Sequence, residues 1–538
     1  MLLPHPTVIS SRLFGEHMVV QASSDSTAVV VSRGASYLTI QAVVTSAAQV
    51  LSFAILARII TPTEVGILAI LTLVTALSQS INGAAFQQAA MKYVGEYADA
   101  NRDLAAGVFF QTLRVSLVIS IPFAVFIFLG SGLLAKMLLG TVSQAGLFQI
   151  LSVDLLMNAG ALQVATGTVL GAKCFKVAAT IGAAGAILRQ ILIILLILFL
   201  KNFVGLVYGW VLSDLAMFAG FGLYAVRTLG LTTKLFELRK LMSFSWPLSV
   251  GNIISFAYGW FDRAILIVFV PLASLGVYTA ALYALGVIGS VSVAFTNTLL
   301  PVYSSISAGR GLEGSRQATR LGSRYVSLVM VPLAFGLFAT AKPALTLFVG
   351  NTYAAGALPL MILSLASALT TLSAVLSPML TALAKTRAIM CITIGSVALG
   401  VCSAYALLPF MGIVGASVAR DVAMVVSLCL TIYVLKRAQA LSIDFDMAWK
   451  STLAGAVMGA VLVAAQTVVY SKILLPAYVV LGAIIYLVLL RVLRAVGTRD
   501  IQLIQEYLGA RLGFLAAVLG AIVVPRGSGK TLLSYPDS

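Results

Sequence analysis

The chain has 538 residues, is 60% hydrophobic and only 9% charged, and its mean hydropathy is +1.06. That balance excludes a soluble globular domain and marks an integral membrane protein. The net charge of +17, from 34 basic against 17 acidic residues, calls for no nucleic acid, because most of it reads as an orientation signal that also touches anionic lipid headgroups.

Runs of at least 18 apolar residues, each long enough as a helix to cross ~30 Å of hydrocarbon, predict an all-α protein. Fourteen transmembrane helices are expected, near 36–60, 64–86, 105–130, 147–171, 177–200, 203–226, 246–270, 275–300, 325–349, 356–382, 388–408, 411–435, 448–470 and 473–494. With the N-terminus inside, the inside segments hold 25 basic residues and the outside loops five, with four left in the membrane. Both termini are therefore expected in the cytoplasm, and the protein in the cell membrane. Residues 1–35 form a tail whose start, MLLPHPTVISSRLF, lacks the basic n-region of a cleaved signal peptide.

The chain repeats itself. GLVYGWVLSDLAM (Gly205 to Met217) returns as GIVGASVARDVAM (Gly412 to Met424), placing Asp214 on Asp421. RVSLVISIP (Arg114 to Pro122) parallels RYVSLVMVP (Arg324 to Pro332), and TPTEVG (Thr61 to Gly66) loosely parallels VPLASLG (Val270 to Gly276). Two lobes of six spans follow, 36–226 and 246–437, joined by a basic linker at 227–245. Six spans return the chain to its starting side, so the repeats run parallel and form a V-shaped bundle around a central cleft. Two extra helices occupy 438–500, and 501–538 reads as an amphipathic surface helix and tail. Pro122 and Pro332, in matching third spans, are candidate hinges.

Neither enzyme nor metal chemistry is signalled. Cys174, Cys391, Cys402 and Cys429 have no ligand spacing, both His lie in the N-terminal tail, and no HExxH or GxSxG occurs. GSGKT at Gly527 to Thr531 imitates a phosphate loop, but Val524 stands where the motif requires Gly, and the neighbouring VPRGS resembles a protease-cleavage linker. No cofactor is expected.

The buried polar residues carry the functional expectation. Charges at mid-span cost about 2.5–3.5 kcal/mol each and usually face a bundle interior or a wet cavity. Eight qualify: Arg114, Arg189, Arg263 and Arg420 with Asp154, Asp214, Asp262 and Asp421. Polar stripes on single helical faces accompany them: Gln41, Thr45, Gln49 and Ser52; Thr72, Thr75, Gln79 and Asn82; Asn252, Ser255 and Gly259 ahead of Asp262. Interhelical glue explains any one of these residues; the stripes with the Arg set favour a solute cavity. The planar, permanently charged fork of Arg suits phosphate. Arg114, Arg189, Arg263, Arg324 and Arg420 are thus candidate substrate ligands, and the four Asp candidates for orienting Arg or coupling an ion.

ARIITPTEVGILAI (Ala57 to Ile70), FDRAILIVFVPLASLGVYTAALYAL (Phe261 to Leu285) and LLPVYS (Leu299 to Ser304) resemble the polysaccharide (O-antigen type) flippase family of the multidrug/oligosaccharidyl-lipid/polysaccharide exporter superfamily. The resemblance covers spans 1–12 and 14. It implies alternating-access translocation of a polyprenyl-(di)phosphate-linked oligosaccharide, coupled to H+ or Na+; since one fourteen-span chain already contains a complete cleft, the monomer is the expected working unit. A cation-coupled multidrug exporter of the same superfamily is the first rival, set back because residues 36–57 hold no acidic residue. The peptidoglycan-precursor flippases line spans 1, 2 and 8 with Arg, which the interiors of those spans lack here. A membrane-embedded glycan-processing enzyme is the second rival, set back by the short loops; a scaffold would gain little from buried charge.

Overall fold

A computed structural model describes residues 10–309, 311–497 and 500. Among them the chain is helical throughout, with no strand, and thirteen helices are long and apolar enough to cross a membrane. The helices are α1 (Ser10–Ile59), α2 (Pro62–Tyr97), α3 (Arg102–Leu129), α4 (Val142–Gly171), α5 (Phe175–Leu200), α6 (Val204–Leu229), α7 (Leu238–Phe269), α8 (Leu272–Gly309), α9 (Gly311–Ala339), α10 (Ala357–Leu369), α11 (Ser373–Ala382), α12 (Thr386–Arg437), α13 (Phe445–Val468) and α14 (Leu475–Val492).

The expected spans map onto these with two differences. Helix α1 starts at Ser10, well before the predicted 36. The tenth span is not one helix: it breaks at residues 370–372 into α10 and α11. The eleventh and twelfth are two helices that meet inside α12 at a kink, Gly412 (φ 53, ψ −128), next to the predicted boundary. A left-handed φ is readily available to glycine, which has no Cβ to clash there. The surface helix expected at 501–538, with its GSGKT, lies outside the described residues.

Several backbone features recur about 210 residues apart. Gly140 (φ 75) and Gly350 (φ 111) stand 210 residues apart, each ending a short helix, Ala135–Leu139 or Ala341–Phe348. Left-handed Lys173 and Ala384 follow the fourth helical segment of each repeat. That segment is irregular in both: α4 contains a π-helical stretch at Leu156–Leu162, and the break at 370–372 sits in the equivalent place. Pro122 and Pro332 lie inside α3 and α9 without non-helical backbone beside them, so the strongest deviations occur at other positions.

The chain divides into two compact units. Residues up to Gln49 with Leu77–Asn252 form one; Val50–Ala76 with the described residues from Ile253 onward form the other. The sequence predicted a division at the linker alone, whereas the hairpin joining α1 to α2 belongs with the second unit. Its turn is tightly specified. Thr61 caps α2 with Pro62 in the first helical position, and Glu64 reaches back to the Thr61 N–H at 2.7 Å while the Thr61 hydroxyl accepts from the Glu64 N–H at 3.3 Å.

In the first unit the core lies between α2, α3, α4 and α6, with Phe86, Tyr93, Phe109 and Phe221 at its centre. Gly167 lets α4 approach α2: a Cβ there would meet the Gln87 carbonyl oxygen at 2.2 Å. The linker is also held to this unit. Phe236 and Leu241 are buried in it, and Gly107 makes room for the Lys234 carbonyl. In the second unit the core joins α8 and α9 to α11, α12, α13 and α14.

Candidate functional site

The first unit holds a polar chain across four helices. Asp214 on α6 is fully buried and accepts from Arg189 Nη1 of α5 at 3.2 Å and from Asn158 Nδ2 of α4 at 2.5 Å. The Asn158 carbonyl oxygen accepts in turn from Gln79 Nε2 of α2 at 2.6 Å. Gln79 and Asn158 both lie in π-helical stretches, Gln79–Gly83 and Leu156–Leu162. Such wide turns recur at functional sites. Asn82 donates to Ser116 and Ser120 of α3 at 3.1 and 2.5 Å. Asp154, one turn before Asn158 and on its face, is fully buried beside the Asp214 carboxyl and near Arg189, and no donor among the described residues satisfies its oxygens.

The second unit's cluster is built differently. Asp262 of α7, also fully buried, accepts from Arg420 Nη1 of α12 at 2.9 Å and from the Tyr278 hydroxyl of α8 at 2.6 Å. Adjacent residues on a helix point about 100° apart, and Arg263 accordingly turns aside. It comes no nearer to Asp262 than 3.8 Å, places its guanidinium 3.5 Å from the Trp260 ring centroid, and donates to the Gly259 carbonyl at 2.6 Å. Asp421, beside Arg420, is partly buried, and its Oδ1 has no partner among the described residues. The Asp214 and Asp421 equivalence in sequence is therefore not an equivalence of environment. Asp214 is clamped by an Arg and an amide; Asp421 is in no ion pair among the described residues.

Arg324 departs most from the cavity expectation. Nε and Nη2 engage both oxygens of Asp500 at 3.1 and 2.6 Å, Nη1 engages Asp444 at 3.1 Å, and Nη2 also reaches the Ala495 carbonyl at 2.9 Å. All three guanidinium nitrogens have acceptors, so Arg324 ties α9 to the segments bordering α13 and α14. Arg114, expected inside a bundle, is exposed on α3. The serines of α3 face inward, and Arg114 shares its other side with exposed Val118, Ile121 and Val125. Gln79 and Asn82 are engaged in helix-to-helix hydrogen bonds, Gln41 packs its amide on Gly182, Gln49 is exposed, and Asn252 is partly buried with no partner for Nδ2 among the described residues.

Sequence reasoning missed an apolar chamber of about 800 Å³ in the second unit. Its walls come from the end of α1 and from α8, α9, α13 and α14. Along α14 it extends from Leu475 to Leu490, about 22 Å at 1.5 Å per residue. The volume falls within the roughly 300–1,000 Å³ of small-molecule sites, but the shape is long and the wall almost wholly hydrocarbon. Tyr283, stacked on Phe53 at 3.9 Å, forms part of the wall. An uninterrupted apolar helix does not announce a groove; only the contacts among α1, α8, α9, α13, α14 and the short helix Ala341–Phe348 create it.

Comparison with known proteins agrees with this architecture. The sequence pattern defining the family described as polysaccharide biosynthesis protein matches residues 55–358. The succinoglycan biosynthesis transport protein ExoT of Rhizobium meliloti (strain 1021) is 25% identical over 304 residues, 56% of this chain and 58% of that protein, so the match spans less than two thirds of the relative. A structure of the lipid II flippase MurJ in an inward closed conformation superposes with a TM-score of 0.65 at 13% identity, over 86% of this chain and 97% of that one. An inward-facing multidrug resistance MATE family transporter of the MOP superfamily gives 0.61 at 14% identity, over 74% and 94%. At such identities the likeness establishes a shared fold.

Proposed function

Since the chain belongs to the polysaccharide biosynthesis protein family, we propose that it is a flippase that moves a polyprenyl-(di)phosphate-linked oligosaccharide across the membrane by alternating access. The observation that carries this reading is the long apolar chamber in the second unit. A hydrocarbon tail seated along α9, α13 and α14 meets a wall as apolar as the lipid it leaves, so van der Waals packing holds it there without any gain from leaving water. Its phosphate would then lie near a guanidinium held by Trp260 and Gly259 instead of being neutralised outright by an Asp. Saccharide hydroxyls crossing the bilayer need replacements for water's hydrogen bonds.

Ion coupling falls on the carboxylates outside the ion pairs. Asp214 is paired with Arg189 and Asp262 with Arg420, and Asp262 Oδ1, which accepts no hydrogen bond, still lies 3.8 Å from Arg263, whereas among the described residues Asp154 and Asp421 are in no ion pair and both oxygens of Asp154 and one of Asp421 accept no hydrogen bond. The proposed cation, H+ or Na+, therefore acts at Asp154 and Asp421, and the proposed working unit is one chain.

Reconstitution in vesicles with a fluorescent polyprenyl-diphosphate oligosaccharide, scored by access of a membrane-impermeant quencher, tests the reading. Arg263→Ala should abolish flipping. Gly336→Phe, which fills the chamber where a Cβ has 3.9 Å of room, should slow a long-tailed substrate and spare a short-tailed one. Wild-type flipping in both variants sinks the proposal.

A further inference from the structure

Proline takes a hydrogen bond out of a helix, because it has no N–H for the carbonyl four residues back. In the second unit two such carbonyls are met by side chains from α13 and α14, the pair that lies outside the repeat. Pro332 leaves the Leu328 carbonyl of α9, and the Tyr486 hydroxyl of α14 donates to it at 3.1 Å. Pro343 leaves the Ala339 carbonyl at the end of α9, and Gln466 Nε2 of α13 donates to it at 2.8 Å. A neighbouring helix is a common remedy for a broken ladder in hydrocarbon, and it accounts for the regular backbone around Pro332. In the first repeat the matching Pro122 leaves the Val118 carbonyl on an exposed face of α3, where the duplication supplies no counterpart of α14.

The Tyr486 bridge joins two walls of the apolar chamber. Tyr486, Leu328 and Pro332 all line it, with Gly482 and Ala483 on one side of Tyr486 and Leu487 and Leu490 on the other. A chain lying along the whole of α14 therefore meets the bridge, whereas a short one fits on one side of it. The hydroxyl also has a second acceptor at hand. Ser451 of α13 is fully buried beside Tyr486, and its own hydroxyl has no hydrogen-bond partner among the described residues. Leaving a buried hydroxyl or carbonyl unpaired is costly, so one donor between two acceptors has two defined positions.

We infer that Tyr486 is a sensor of tail length. With the chamber empty its hydroxyl closes the break at Pro332; a long polyprenyl chain displaces it from Leu328 to Ser451. The Leu328 carbonyl is then released, and α9 is free to bend at its proline. A short chain leaves the bridge in place. Tyr486 acts here as a positioning residue, through the backbone of α9. The inference rests on the seat proposed for the tail, but its test reads binding and melting, not transport.

The experiment titrates the purified full-length protein with undecaprenyl phosphate or geranyl phosphate, reads bound lipid by native mass spectrometry, and follows melting of the lipid-free protein. Tyr486→Phe strands the Leu328 carbonyl, so melting should fall. The long lipid should nevertheless bind about tenfold more tightly, because no hydrogen bond has to break before it enters. Geranyl phosphate should bind as it does to the wild type. Pro332→Ala gives Leu328 an N–H; it should raise melting and also tighten the long lipid, and it decides the matter if Tyr486→Phe fails to accumulate. Ser451→Ala removes the second acceptor and should weaken the long lipid without lowering melting. A Tyr486 with a merely structural role would lose melting and binding together. Gly336→Phe, which fills the chamber, should weaken the long lipid in every background. The sensor is overturned if Tyr486→Phe and Pro332→Ala bind undecaprenyl phosphate no more tightly than the wild type, if geranyl phosphate shares the gain, or if Gly336→Phe has no effect. If the binding pattern holds while the oligosaccharide lipid never flips, the sensor stands and the transport reading fails.

Discussion

Arg420 reaches Asp262 from another helix at 2.9 Å, whereas Arg263, its neighbour in sequence, stays 3.8 Å away. The buried ion pair is thus the long-range one, and Arg263 is the guanidinium left for other work.

The two Arg should therefore separate by readout. Asp262→Asn strands Arg420, and breaking a buried pair from one side costs about 3–5 kcal/mol, which should appear as a large loss of thermal stability in detergent. Arg263→Gln should melt within a few degrees of wild type yet lose most flipping. Equal loss of stability in both variants would refute the division.

Asp214 and Asp421 offer a sharper comparison because the repeat makes them equivalents. Asp214→Asn removes the charge partner of Arg189 and disturbs the amide relay to Gln79, so protein abundance should fall. Asp421→Asn breaks no ion pair; it should accumulate normally and alter the dependence of flipping on the cation gradient. Matching phenotypes would show that the environment of each carboxylate is irrelevant.

The Arg324 clasp has a pH signature. Burial pushes the Asp500 carboxyl up, but hydrogen bonds from Arg324, the Gly497 N–H and Tyr325 outweigh it and hold the group below its ordinary value of 3.8. A carboxyl depressed on folding contributes stability that is complete above the unfolded value and disappears as pH falls through the folded one. Asp500→Asn should lower stability by about 2 kcal/mol near neutrality, and its melting should converge on wild type below pH 3.8. A constant gap across that range would contradict the clasp.

A surface pair supplies the contrast. Lys173 holds Asp99 at 2.5 Å and lowers its carboxyl, but the two side chains are 54% and 79% exposed. Exposed pairs are screened and cost side-chain freedom, so Asp99→Asn should leave melting and flipping unchanged. A clear drop in either would show a role beyond the ion pair.

Fold and site were unequally legible in the sequence. Hydropathy located thirteen of the expected crossings as helices, and the boundary at 411 anticipated Gly412, because length and polarity are properties of consecutive residues. The break at 370–372 was invisible for the same reason: TTL is apolar enough to continue a span. Of the eight mid-span charges, seven are at least partly buried and Arg114 is exposed, because hydropathy reports depth without reporting face. Partners required topology. Tyr278 was quoted within a turn motif, yet its hydrogen bond to Asp262 depends on α7 and α8 lying antiparallel. Asn158 could have been flagged by its spacing of four from Asp154. Asp500, distant in sequence from Arg324, left no such trace.

Residues 50–76 have a practical consequence for dissecting this molecule. A cut in the 227–245 linker divides the sequence into its two repeats, but the first fragment would carry away a hairpin that the second unit packs as its own. Neither fragment is then a self-sufficient module, and complementation should need both made together in one membrane. A second fragment extended to include its own copy of 50–76 would compete for that berth.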